Sequence, residues 1–159
     1  MSITIKNISY QNKKDARILE TVLKNWFKDP KELNLTSPNM SYPFNFKKWA
    51  TLFYKEQEIH SFVMKSDDWI IGMGSLKIIP DTKRAHAYHI FIDPEYRQKG
   101  LAEKMVHHLE LLGRSEKMEV MTLRVVPKNK PAIKLYKKLV FDETASSKRK
   151  GLFFEKKLN

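Results

Sequence analysis

Residues 87–102 constrain the fold of this chain more than any other stretch. Ala87-Tyr88-His89-Ile90-Phe91-Ile92 has the apolar and aromatic character of a buried strand. Asp93-Pro94-Glu95-Tyr96-Arg97-Gln98-Lys99-Gly100 interrupts it, and Leu101, Met105, Val106, Leu109 and Leu112 then recur at helical spacing. A basic, glycine-bearing turn between a strand and a helix builds an anion site. The first N–H groups of the helix lack intrahelical partners, and the helix dipole places partial positive charge there. Gly100 lets the backbone approach a ligand, Ala102 keeps the first turn free of bulk, and Arg97 and Lys99 add charge at the same mouth. A phosphate-bearing ligand suits this arrangement. The spacing is neither that of a P-loop nor that of a Rossmann turn, which need Gly-x4-Gly-Lys-Ser/Thr and Gly-x-Gly-x-x-Gly.

A second segment supports the first. Val120-Met121-Thr122-Leu123-Arg124-Val125-Val126 reads as a buried strand, and Pro127-Lys128-Asn129-Lys130-Pro131-Ala132-Ile133-Lys134-Leu135-Tyr136-Lys137-Lys138-Leu139-Val140-Phe141 follows it. Arg97-x-x-Gly100-x-Ala102 resembles the Arg/Gln-x-x-Gly-x-Gly/Ala signature of the GCN5-related N-acetyltransferase (GNAT) superfamily. The second segment resembles that family's Asn-x-x-Ala-x-x-x-Tyr-x-Lys-x-Gly-Phe pattern, in the right order. One position departs from it: Val140 stands where the family usually has a glycine. A glycine there ends the helix in a left-handed conformation, so this helix is expected to stop differently.

The remaining elements fall in the family's order. Ile3-Thr4-Ile5 alternates as a strand. Residues 13–28 carry an apolar stripe (Ile18, Leu19, Val22, Leu23, Trp26, Phe27) and predict a helix that Asp29-Pro30 ends. Residues 30–45 read as a connector, and a second helix is expected over 46–58. Segments 60–65 and 69–79 pair as a hairpin about Ser66-Asp67-Asp68. Strand 84–92, a helix from Leu101, strand 120–126, helix 129–139 and a final pair at 141–147 and 151–158 complete the order. The expectation is a mixed α/β (α+β) fold in a single domain over 1–159. The resemblance implies a mostly antiparallel seven-stranded sheet, splayed between its fourth and fifth strands and flanked by four helices.

The resemblance also implies an activity and a site. The activity is acetyl transfer from acetyl-CoA to a primary amine. The strands ending at Ile92 and near Val126 are expected to part, and the pantetheine arm of coenzyme A to fill the gap. Ile90, Phe91 and Ile92 would offer backbone contacts. Arg97, Gln98, Lys99, Gly100, Leu101, Ala102 and Glu103 would cradle the phosphates, and Asn129 would face them from the opposite wall. Tyr136, seven residues after Asn129, matches the family's general-acid tyrosine, although an apolar-stripe tyrosine is more often a packed aromatic. The family's base is often a glutamate on the fourth or fifth strand. The matching positions hold Tyr88 and Arg124, so His86 is the substitute base. The alternation of a strand would put His86 and His89 on opposite faces, and no metal is expected.

The acceptor pocket is expected near Trp26, Phe27, Leu35, Tyr42, Phe44, Phe46, Trp49 and Phe53, whose aromatic density suits either an amine pocket or a core. A small amine is the first expectation: a polyamine, an amino acid or an aminoglycoside-like compound. Arg124 stands where N-terminal acetyltransferases of ribosomal proteins carry a glutamate, which disfavours a protein N-terminus.

The formal net charge of +12 suits anionic ligands, but the lysines are spread along the chain with no basic block longer than Lys148-Arg149-Lys150. No specific nucleic-acid partner is therefore expected. The absence of cysteine removes disulfides and thiolate metal sites. No membrane span or signal-like run is evident, so a cytoplasmic monomer or homodimer is expected. Two alternatives stay open: a catalytically silent coenzyme A-binding module of the same fold, and a basic nucleic-acid-binding domain.

Overall fold

In the computed structural model, which describes residues 2–144 and 151–158, the chain begins with strand β1 (Ile3–Ile8). Helix α1 (Lys13–Trp26) follows, its first turn capped by the side chain of Asn12, which accepts from the Asp15 N–H. Asp29 and Pro30 do more than end that helix. Asp29 caps a further one, α2 (Pro30–Thr36), with Pro30 at its start, where a missing N–H costs nothing. The segment expected as a connector is therefore partly helical, and among the described residues five α-helices flank the sheet rather than four. Helix α3 (Phe46–Phe53) is shorter than the 46–58 expected, and its C-cap is Tyr54.

Strands β2 (Ile59–Ser66) and β3 (Trp69–Ile79) form the expected hairpin, and β4 (Arg84–Ile92) pairs antiparallel with β3. Helix α4 (Leu101–Ser115), strand β5 (Val120–Val125) and helix α5 (Lys130–Lys138) come next. The last strands are β6 (Asp142–Thr144) and β7 (Leu152–Lys157). Residues 145–147 of the expected 141–147 strand lie outside the described residues. The sheet order is β1-β2-β3-β4-β5-β7-β6, and β4–β5 is the parallel pair. Among the described residues, no helix is long and apolar enough to cross a membrane.

Alternation along the strands sends apolar side chains to both faces. On one face α4 and α5 pack over Met64, Leu76, Ala85, Met121 and Phe154. On the other, Leu23, Phe27, Leu33 and Trp49 of the first three helices meet Val63, Met73 and Phe91. Most of the aromatics expected around an acceptor pocket belong to this second core. Trp26, Phe27 and Trp49 are buried, and Phe27 packs against Phe44, Trp49 and Phe91 with ring centroids 5.3–5.6 Å apart.

Two details depart from sequence reasoning. Met73 pairs with Phe91 and Ser75 with Tyr88, so His89 and Ile90 together oppose Gly74 in a bulge, with His89 at φ 51°. The bulge resets the alternation of β4 beyond Tyr88. The second detail is the end of α5. Val140 takes the left-handed conformation (φ 70°) that a glycine would have supplied. The Phe141 N–H donates to the Tyr136 carbonyl (3.0 Å) and the Val140 N–H to that of Lys137 (3.1 Å), which closes a Schellman motif. The helix stops in the usual way, at a valine.

Candidate active site

Pairing between β4 and β5 is brief. Arg84, Ala85 and His86 match Val120, Met121 and Thr122, and the register ends there although both strands continue. The carboxyl ends of the two strands thus part beyond His86, and backbone groups facing the gap are left to other partners. Ile90, Phe91 and Ile92 lie in the stretch of β4 beyond the last pair.

The loop that follows leads into α4. Short 3-10 geometry at Pro94–Tyr96 is capped by Asp93, whose other carboxylate oxygen accepts from the Trp26 indole (3.2 Å). Gln98 (φ 63°) and Gly100 (φ 75°) are both left-handed, an alternation that turns successive N–H groups toward one side. Helical bonding begins with the Lys104 N–H on the Gly100 carbonyl (3.2 Å). No side chain caps this end, and among the described residues the N–H groups of residues 98–103 have no protein acceptor. A Cβ built on Gly100 would meet nothing within 4 Å. These are the conditions for an anion cradle on a 15-residue helix.

Several residues expected in the cradle are already engaged. Arg97 donates from Nε to the Ile92 carbonyl (2.8 Å), and its guanidinium grips both carboxylate oxygens of Glu32 on α2 (3.1 and 2.9 Å). It also lies over the Phe91 ring, 5.2 Å from the centroid. Arg97 fastens the loop to the sheet and to α2. Glu103 pairs with Lys138 at 3.0 Å, and Lys99 lies over Tyr96. Asn129 caps α5 through its side-chain oxygen on the Ala132 N–H (3.4 Å). The unpaired N–H groups of the loop are its distinctive outward feature, beside the exposed side chains of Gln98 and Lys99.

On the face of α1–α3 a cleft of about 500 Å³ opens against the gap. Its walls are the end of α2 and the segment after it (Leu35 to Asn39), the end of α3 with Lys55 and Glu56, and Lys77, His86, Tyr88, His89 and Arg124 from the sheet. Leu35 and Phe53 are the members of the expected aromatic pocket that line it. His86 and His89 both face the cleft. The strand-alternation expectation fails because the bulge lies between them.

His86 is held by a hydrogen bond between Nδ1 and the Thr122 hydroxyl (2.8 Å). Burial, then the positive charges of Arg124 and Lys77, lower its pKa to about 4, so it is neutral near pH 7. The Tyr88 hydroxyl donates to the Phe53 carbonyl (2.8 Å). Glu56 is a cleft carboxylate that sequence reasoning missed, and it pairs with Lys77 at 2.7 Å. It was placed inside the expected 46–58 helix. Because α3 ends at Phe53, residue 56 belongs to a loop that turns into the cleft. No sequence signal marks it.

Tyr136 is not in this cleft. It lies in the core beneath α4 and α5, near Phe141 (5.8 Å) and Phe154 (6.3 Å). Burial raises its phenol pKa, so the hydroxyl keeps its proton, and among the described residues it has no hydrogen-bond partner. His86 and Tyr136 thus belong to opposite faces of the sheet. No group of three or more metal-ligating side chains gathers among the described residues.

Residues 21–141 match the Acetyltransferase (GNAT) family, and the chain belongs to it. It is similar to an uncharacterized N-acetyltransferase of Methanocaldococcus jannaschii (26% identity; 64% of this chain, 49% of the relative). It is also similar to an N-alpha-acetyltransferase of Sulfurisphaera tokodaii (28%; 65% and 66%). The chain thus spans about half the length of the first relative and about two thirds of the second. The crystal structure of PaiA N-acetyltransferase from Thermoplasma acidophilum in complex with coenzyme A superimposes with a TM-score of 0.74 at 20% identity, covering 99% of each chain. That likeness speaks for the fold.

Proposed function

We propose that the protein is an acetyl-CoA-dependent N-acetyltransferase whose acceptor is a primary amine of a small molecule. The observation that carries this reading is the pairing of a parted β4–β5 seam with an uncapped α4 N-terminus whose N–H groups have no protein acceptor among the described residues. The residues present fit coenzyme A. The N–H groups of residues 98–103 suit its phosphates, and the stretch of β4 from Ile90 to Ile92, which has no β5 partner, suits its amide-bearing arm. Acetyl-CoA would supply an activated acyl group as a thioester.

The chain's own residues divide the remaining work. The cleft holds the amine beside the mouth of the gap. The positive charges of Arg124 and Lys77 disfavour an ammonium there, so the amine is presented neutral and nucleophilic. His86, itself neutral and tied to Thr122, can accept a proton through Nε2. Tyr136, on the α5 side of the sheet, retains its proton and in this reading supplies it from Oη to the departing thiolate. A pKa of about 4 makes His86 a weak base. That one feature favours the second reading, a coenzyme A-binding module without turnover.

Two measurements test the proposal. Acetyl-CoA should raise the melting temperature, and a panel of amines should show amine-dependent release of free thiol. Binding without thiol release from any amine selects the silent module, and absence of both removes the cofactor assignment.

A further inference from the structure

We infer that the acceptor amine is a small molecule bearing an anionic oxyacid group, carboxylate or phosphate, and that Arg124 is the residue that reads it. The inference rests on the acetyltransferase reading of the same cleft and names its substrate class.

The charges lining the cleft are Lys55, Lys77 and Arg124 against Glu56. Glu56 is already held by Lys77 at 2.7 Å. Lys55 and Arg124 have no carboxylate partner among the described residues, so the cleft keeps uncompensated positive charge. Arg124 is exposed, and its guanidinium lies over the Phe153 ring, 4.7 Å from the centroid. Contact with the aromatic face restrains the group, which makes no hydrogen bond among the described residues, and a forked, planar donor matches carboxylate or phosphate oxygens in pairs. The neighbouring imidazole of His86 senses the same field, since Arg124 and Lys77 both disfavour its charged form.

A polyamine would bring further positive charge into this cleft, against the field that selects its guests. An amine with an acidic group gains twice. The anion meets Arg124, and the ammonium, displaced toward the gap and surrounded by positive charge, gives up its proton more readily. The aromatic cluster formed by Phe27, Phe44 and Trp49 is packed on itself and supplies no cation-binding cage in the cleft.

The test uses four amines of matched length (an amino carboxylate, an aminoalkyl phosphate, an amino alcohol and a diamine) and a short peptide with an acidic second residue. Thiol-release kinetics should give the two anionic amines a kcat/KM advantage of about 10- to 100-fold over the alcohol and the diamine. Arg124→Gln should abolish the advantage, Arg124→Glu should reverse it toward the diamine, and Arg124→Lys should restore part of it. Acetylation without a preference for anions overturns the inference and leaves acetyl transfer standing. A strong preference for the acidic peptide over both small anions overturns the small-molecule assignment. If no amine is acetylated, the proposed function falls, and calorimetry with the same compounds, with and without coenzyme A, decides alone. Binding of the anionic amines that is lost in Arg124→Gln supports the inference, and no binding refutes it.

Discussion

The phenol oxygen of Tyr54 lies 2.7 Å from Nδ1 of His89, while Nε2 of the same imidazole lies 3.1 Å from the Ser37 hydroxyl. A neutral ring satisfies both contacts, donating at one nitrogen and accepting at the other. The bulge and its left-handed His89 place the ring there, stacked on Trp49 at 4.1 Å, so it joins β4, α3 and the segment that closes the cleft. Burial, then the charge of His86, lower the pKa of His89 to about 3.

Acid sensitivity follows. Between the unfolded value near 6.5 and the folded value near 3, the unfolded chain binds a proton that the native ring refuses. Stability contributed by the neutral ring is therefore complete above about pH 6.5 and is lost as pH falls toward 3. The slope is about 1.4 kcal/mol per pH unit for each such imidazole. His86 acts in the same direction down to about 4. Chemical denaturation across pH 4–7 should show a shallower slope for His89→Gln, by about one imidazole, together with lower stability at pH 7. Parallel slopes for the two proteins would rule this account out.

Gly100→Glu should eliminate acetyl-CoA binding while leaving the protein folded. The new side chain meets no protein atom at its Cβ but carries negative charge to the uncapped helix end. The φ of 75° makes any L-residue there cost about 1 kcal/mol. Gly100→Ala is the control, with the same strain and no charge. Titration calorimetry should find binding much weaker in the Glu variant than in the Ala variant, and equal affinities would exclude this end of α4 as the phosphate site.

Tyr136→Phe should separate catalysis from packing. The hydroxyl has no hydrogen-bond partner among the described residues, so its removal should leave the melting temperature and acetyl-CoA affinity nearly unchanged. Loss of a general acid typically slows chemistry ~10²–10⁴-fold. Single-turnover kinetics should show that fall in the acyl-transfer step. An unchanged rate would assign the thiolate's proton to water and Tyr136 to the core alone.

Val140→Gly should stabilise the protein. Val140 is 70% exposed, so little packing is lost, while a β-branched residue in the left-handed region costs about 1–2 kcal/mol. The greater freedom of glycine in the unfolded chain offsets roughly half of the relief. A rise of about 1–4 °C is expected by calorimetry, and a drop would show that the valine side chain makes a contribution its exposure conceals.

The succession of strands along the chain and the strand–loop–helix unit were legible because periodicity and two motifs at fixed separation report on backbone geometry. What escaped were features set by tertiary context. The parity argument for His86 and His89 assumed unbroken alternation, and a bulge leaves no mark on composition. Pro30 was read as a terminator although it sits at the first position of a new helix, where Asp29 caps it. Glu56 depended on where α3 stopped. The aromatics of the first helices were open between pocket and core, and only packing could decide. Arg97 was read as added charge at the mouth of the cradle, yet a long cation near the Ile92 carbonyl and the Glu32 carboxylate finds its partners within the protein.

That last contact makes one guanidinium a mechanical link. Arg97 holds the Ile92 carbonyl at the rim of the seam and Glu32 on α2, whose far end at Ser37 walls the cleft. A shift of the loop before α4 would load this fork, and through Glu32 it would reach the helix whose end lines the cleft. Thermodynamic linkage is symmetric, so any free energy that occupancy of one site transmits through the fork is returned in equal measure when the other fills. One side chain thus bridges the loop before α4 and the helix that ends at the cleft.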